Sequence, residues 1–254
     1  MKKDNYFITW IGGKRLLRKK ISELIPEDIG SYIEPFGGGA WVLFYKEKWA
    51  NIEVYNDLDN NLYNLFNIVK YHTNEFVKEY TLMINSRKLF KEMLEYRPLT
   101  DIQKATKFFF LLQRSYSGKR EQFGYVKKSQ SSAITSQENI INRVYSTALR
   151  LNKVIVENLD FEEIFRRYDT QEAFFYLDPP YSKGYGYDVT STKNFDHKRL
   201  KSCLDNLEGR WLLSYDDSDA IRELYKDYKI IEVSRNNTFS KKGSQYKELL
   251  IKNY

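Results

Sequence analysis

A single cysteine, Cys203, among 254 residues excludes a disulfide framework and predicts a reducing, intracellular compartment. Histidine is almost as rare: His72 and His197 stand alone, so a Cys/His metal site is not expected and no metal is predicted. Cys203 falls at the apolar spacing of Leu200, Leu204 and Leu207, which marks it as a core residue rather than a nucleophile paired with His197. Apolar runs such as FFFLL at 108–112 are too short to span a bilayer. The first residues, MKKDNYFITW, lack a long apolar core and a small-residue cleavage site, so no signal peptide is expected. These absences predict a soluble, cytoplasmic protein with no membrane partner. Proline is scarce too, at five residues, yet two of them stand side by side at Pro179 and Pro180.

Basic residues are plentiful. The 41 Lys and Arg against 34 Asp and Glu give a formal net charge of +7 and a pI near 9.1. That excess points to a polyanionic partner such as nucleic acid, although a basic, solvated surface gives the same total. Hydrophobic residues at 42% and the chain length allow one large domain, or a core domain with a smaller one inserted.

Short apolar runs alternate with helical patterns, the mark of α/β architecture. Strands are expected at SYIE before the glycines, then at 52–57, 154–158, 173–178, 210–215, 229–233 and 246–252. A helix is expected from about Trp41, another on the apolar face Leu58, Leu62, Leu65, Phe66 and Val69, and others near 196–207 and 217–227. Between about 70 and 150 strand signals are scarce. Phe76, Val77, Tyr80 and Ile84, then Ile102, Ala105, Phe108 and Phe109, then Ile140, Ile141, Val144 and Ala148 follow helical spacing. Residues 70–150 are therefore expected to form a mainly helical domain inserted into a discontinuous domain of residues 1–69 and 151–254.

Four places carry chemistry. EPFGGGA (34–40), between a predicted strand and a predicted helix, is the setting in which a glycine turn wraps a nucleotide-like ligand; the alternative is a tight strand-to-helix turn. Asp57 ends the next strand, where nucleotide folds place a carboxylate on ribose hydroxyls, and it could equally cap the helix that follows. In YFITWIGGKRLL (6–17), Lys14 could meet a carboxylate and Trp10 could cover a ligand face, or they are a surface charge and a core aromatic. DPPY (178–181) is the sharpest signal. An amine on an aromatic base must recover its delocalised lone pair before it can attack a methyl group. The Asp178 carboxylate and a carbonyl held by Pro179 and Pro180 can each accept one N–H, and Tyr181 can stack on the base.

The set WIGGK, EPFGGGA, ND at 56–57 and DPPY, in that order, resembles the Dam-type DNA N6-adenine methyltransferases, the alpha group of the D12 class. The resemblance covers most of the chain. It implies a Rossmann-like α/β methyltransferase fold with a seven-stranded mixed sheet and an inserted helical target-recognition domain, using S-adenosyl-L-methionine on double-stranded DNA. It further implies a bacterial or phage-encoded enzyme, with a cognate restriction endonuclease as a candidate partner. By this resemblance Trp10, Lys14, Phe36, Gly37, Gly38, Gly39, Asp57, Asp160, Phe161 and Asp178 meet the methyl donor, with Lys14 at the methionine carboxylate. Asp178, Pro179, Pro180 and Tyr181 form the catalytic loop. Ala40 stands where many relatives have a last glycine, a change that a small side chain should tolerate. The block QRSYSGKREQFGYVKK departs from the asparagine–glycine version in Dam itself, so a GATC target is not carried over.

That block still speaks physically. Arg114, Lys119, Arg120, Lys127 and Lys128, interleaved with Tyr116, Phe123 and Tyr125, suit phosphate contacts and a ring that wedges into a base stack; a solvated charged face is the alternative. Arg114 or Arg120 could read guanine. A second basic loop, RNNTFSKKGSQYK (235–247), offers Lys241 and Lys242 to the DNA backbone, and Phe195 is a candidate stacking partner for the target base. Two rival readings remain open: the same chemistry on N4 of cytosine or on an RNA base, and a catalytically silent DNA-binding module.

Overall fold

The structure, a computed structural model, describes residues 6–115, 118–124, 136–181, 195–236 and 245–254. In chain order its elements are α1 (Arg18–Leu24), β1 (Ser31–Glu34), a 3-10 turn (Leu43–Tyr45), β2 (Ile52–Asn56), α2 (Asn60–Tyr71), α3 (Thr73–Thr81) and α4 (Arg87–Glu95). There follow α5 (Asp101–Arg114), α6 (Gln137–Leu151), β3 (Ile155–Glu157), α7 (Phe161–Tyr168), β4 (Ala173–Leu177) and α8 (His197–Asp205). The chain closes with β5 (Arg210–Asp216), α9 (Asp219–Leu224), β6 (Lys229–Asn236) and β7 (Gln245–Lys252).

The strands form a seven-stranded sheet of order β3-β2-β1-β4-β5-β7-β6. Pairing is parallel from β2 through β1 and β4 to β5, and antiparallel where β7 lies between β5 and β6. This is the mixed α/β sheet expected of a Rossmann-like methyltransferase. Parallel strands buried on both faces read as continuous apolar runs, and β4 (AFFYL) is buried at every position. Strand order reverses between β1 and β4, so their C-terminal ends flank the crevice where open α/β sheets hold ligands.

By internal packing the chain divides into two compact units. One comprises Met1–Lys14, Gly38–Glu47 and Asp59–Val156; the other comprises Arg15–Gly37, Lys48–Leu58 and Glu157–Tyr254. In the first unit α2 packs on α5 and α6, and Phe7, Phe66, Phe76, Tyr80 and Phe109 form an aromatic core at ring separations of 5.1–5.7 Å. Burying each of these rings contributes roughly 1.5–3 kcal/mol. Helix α5 begins in a full capping box, with the Thr100 hydroxyl accepting from Gln103 N–H and the Gln103 side chain accepting from Thr100 N–H. In the second unit Trp211, Phe175, Leu177, Leu213 and Tyr215 make a core on which Cys203 lies half-buried. Burial pushes the Cys203 thiol above its usual range, which suits a packing role.

One expected element does not form. Instead of a helix from about Trp41, the chain makes a three-residue 3-10 turn. Ala40 is the reason that can be seen locally: its φ is +53°, in the left-handed region, and it is fully buried. An alanine held there carries strain on the order of 1 kcal/mol, which a glycine would not. The position the resemblance reserves for glycine is thus one where the backbone favours glycine.

Candidate active site

Within the second unit the site is organised by Asn56, the last residue of β2 and 1% exposed. Its side-chain amide donates to the carbonyls of Pro35 (2.8 Å) and Leu159 (2.9 Å), and its Oδ1 accepts from Leu159 N–H (2.8 Å). Its own carbonyl accepts from Gly37 N–H (2.8 Å). One side chain therefore ties together the segments that carry Phe36 and Gly37, Asp57, and Asp160 and Phe161. Beside it Asn158 donates to the Asp57 carbonyl at 2.8 Å. Helix capping at the start of α2 falls to Asp59, whose carboxylate accepts from Asn61 N–H, so that role does not belong to Asp57. Sequence reasoning passed over Asn56 although it lies in the quoted ND pair; a polar residue closing an apolar strand was the available signal.

Asp178 follows β4 directly. Register pairs Leu177 with Leu213, so the next residues along the two parallel strands, Asp178 and Ser214, are neighbours. The Ser214 hydroxyl lies 2.9 Å from Asp178 Oδ1, 3.2 Å from the Leu177 carbonyl and 3.2 Å from the Tyr176 hydroxyl. Tyr181, from the same loop, donates to Glu248 Oε2 at 3.2 Å and lies 5.8 Å from the Tyr215 ring. Desolvation, with the Asp178 charge adding to it, holds the Tyr176 and Tyr181 phenols well above their usual pKa. Both remain neutral donors at any working pH.

Phe36, Phe161 and Phe195 gather at centroid separations of 5.4–5.8 Å. Asp160 caps α7 through Glu162 N–H and also receives two hydrogen bonds from Arg199, whose guanidinium lies 4.5 Å from the centre of the Phe161 ring. The carboxylate is thereby fixed and its charge matched. His197, edge-on to Phe195, shares a hydrogen bond between its Nδ1 and the Tyr215 hydroxyl. Burial lowers its pKa from the usual imidazole range, against the opposing pull of Asp216 and Asp196.

The glycine turn runs from one unit into the other. A Cβ on Gly37 would lie 2.3 Å from the Tyr55 ring. On Gly38, at φ +48°, it would lie 2.9 Å from the Trp10 indole, and on Gly39 2.9 Å from Trp10 Cβ. Glycine is therefore required by the protein's own aromatic packing before any ligand approaches. In the first unit Trp10 thus presses on Gly38 and Gly39, and Lys14, 3% exposed, donates to the Gly12 carbonyl at 2.9 Å. The Arg120 guanidinium sits 5.8 Å from the Trp10 ring and 5.0 Å from the Phe108 ring, with Arg120 at φ +60°. Lys119 precedes it, partly exposed, and the Arg114 carbonyl accepts from Gly124 N–H at 2.7 Å. Tyr116, Lys127, Lys128, Lys241 and Lys242 lie outside the described residues, as does Tyr125. Among the described residues no cluster of His, Cys, Asp and Glu is arranged to hold a metal ion, and no helix is long and apolar enough to cross a membrane.

Comparison with known proteins gives this geometry a setting. A family model described as D12 class N6 adenine-specific DNA methyltransferase matches residues 10–239. A type II methyltransferase of Paramecium bursaria Chlorella virus is 26% identical, over 97% of this chain and 98% of its own. Another, from Lactococcus lactis subsp. cremoris, is 26% identical over 98% of this chain and 95% of its own. A DNA adenine methylase of Serratia marcescens is 32% identical over 46% of this chain and 45% of its own.

Proposed function

From the membership of this chain in the D12 class of N6 adenine-specific DNA methyltransferases, we propose that it moves the methyl group of S-adenosyl-L-methionine to N6 of an adenine turned out of duplex DNA, with Asp178 as the residue that receives the amine. The observation that carries this reading is the seat of Asp178, at the C-terminal end of β4 beside the reversal of strand order, with its carboxylate held by Ser214.

When bound, S-adenosyl-L-methionine supplies a methyl group on a sulfonium sulfur. By the resemblance, Phe36 and Phe161 would meet its adenine and Asp57, whose carbonyl is held by Asn158, its ribose hydroxyls; Lys14 and Trp10 are the residues the resemblance gives to its methionine end. The target base cannot be reached within a duplex, so it must leave the stack. Tyr181 then stacks on the base. Asp178 and the proline-held carbonyl accept the two N–H groups of the amine, which localises its lone pair and stabilises the charge that develops during transfer. The displaced proton passes to water. Target recognition is assigned to residues 70–150, with Arg114, Lys119 and Arg120 toward the DNA. The type II names of the relatives favour a role beside a cognate restriction endonuclease.

Incubation with labelled S-adenosyl-L-methionine and plasmid DNA, followed by long-read mapping, tests the proposal. N6-methyladenine at one short motif is expected; label on cytosine alone, or none, overturns it. Asp57→Ala is expected to weaken binding of the methyl donor by tenfold or more, on the order of one lost hydrogen bond to a charged group. Calorimetry on the purified variant reads this directly, and an unchanged affinity refutes the ribose role. Reversing charge at Lys119 and Arg120 together is expected to weaken DNA binding and to reduce the slope of log affinity against log salt by about 2. Arg120→Glu also loses its two ring contacts, so thermal stability is followed alongside; an unaltered salt slope moves the DNA face elsewhere.

A further inference from the structure

We propose that Ser214 is the positioning residue for Asp178, fixing which way its carboxylate faces through one buried hydroxyl. The proposal rests on the reading of Asp178 as the group that meets the amine. Ser214 is fully buried on β5, where no water competes for its proton. A serine hydroxyl has one hydrogen, and the oxygens it faces include those of Asp178, Leu177 and Tyr176. The carboxylate is both the nearest, at 2.9 Å, and the strongest acceptor, so the proton goes to Asp178 Oδ1. Tyr176 must then donate to Ser214. Two neutral hydroxyls in series point at one oxygen of the carboxylate, and each polarises the next.

This arrangement pins Oδ1 toward the sheet, which sets the plane of the carboxylate and the direction in which it can accept from a substrate amine. The groups that face Asp178 are Tyr176 on its own strand, Tyr181 in its loop, Ser214 and Tyr215 on β5, and Glu248 on β7 through Tyr181. Ser214 lies in hydrogen-bond contact with the carboxylate at 2.9 Å.

The test compares Ser214→Ala, Ser214→Cys and Asp178→Ala in the full chain, with plasmid DNA and labelled S-adenosyl-L-methionine. Cysteine fills the serine's space with a much weaker donor, so it separates hydrogen bonding from packing. Both Ser214 variants are expected to lose roughly tenfold to a hundredfold in kcat, the scale of a hydrogen bond to a charged group. KM for DNA and for the methyl donor should stay within about twofold, since no binding contact is altered. If Ser214→Ala does not fold, Ser214→Cys gives the same reading. Wild-type kcat in Ser214→Cys overturns the proposal, and so does a loss carried by KM rather than by kcat. If Asp178→Ala itself turns over normally, the assignment of Asp178 fails instead, which is a separate result.

Discussion

Asp178→Ala is expected to abolish methyl transfer, with a loss of at least about a thousandfold in kcat, while DNA binding in a gel-shift or anisotropy assay stays within a few-fold of the unaltered protein. The size follows from removing a preoriented acceptor that acts where charge develops, a class of substitution that commonly removes two to three orders of magnitude. Binding should survive because the residues assigned to the DNA backbone, Lys119 and Arg120 among them, are not touched. Asp178→Asn sharpens the result. The amide keeps an oxygen for the Ser214 hydroxyl at the position of Oδ1, 2.9 Å away, so β4 and β5 stay joined. It replaces an acceptor with a donor, however, and should be nearly as inactive. An Asn variant with full turnover would show that orientation of the amine does not depend on this carboxylate.

The second large effect is expected in stability. Asn56→Asp changes one group yet places a carboxylate oxygen where the amide now donates to the Pro35 and Leu159 carbonyls, at 2.8 and 2.9 Å. Two buried acceptors would then face a third, at a side chain that is 1% exposed. The loss of two buried hydrogen bonds at about 1–3 kcal/mol each predicts roughly 3 kcal/mol, or a fall in Tm of about 6–12 °C for a chain of this size. The sign of its pH dependence can be worked out. Repulsion raises the folded-state pKa of the new carboxyl above its unfolded value near 4, so the protonated form is favoured. The variant's deficit is therefore smallest below that unfolded value and grows as pH rises through the folded one. Thermal melts between pH 4 and 8 measure it. A deficit independent of pH would show that the substitution acts through something other than charge.

How far the sequence alone leads differs from element to element. The strands could be read because short runs rich in apolar and aromatic residues, such as AFFYL in β4, end in polar or turn residues, and each expected strand has its counterpart to within three residues. Helices α2, α5 and α6 could be read from apolar spacing. Helix α7 was missed: FEEIFRRY has only four apolar or aromatic positions, and its N-cap is Asp160, a residue the family resemblance had already given another role. The helix expected from Trp41 failed because Ala40 turns through the left-handed region first. Within the site, Asp178 and Asp57 were visible as acids ending hydrophobic strands. Ser214 and Asn56 were not, because their partners are 36 and 103 residues away and depend on which strands lie side by side. Register is a property of the assembled sheet, and periodicity along one strand does not encode it.

The short turn that replaces a helix after the glycines also bears on which nucleotide the fold can favour. A full α-helix gathers its peptide dipoles into about half a positive charge at its N-terminus, and glycine turns that hold pyrophosphate place the ligand against that end. Leu43–Tyr45 is one 3-10 turn of three residues, too short to build such a field. A doubly charged diphosphate would find little to hold it there. A nucleotide that carries its positive charge on sulfur would meet little opposing field. The three-residue turn after the glycines therefore adds no helix-dipole field of its own beside them.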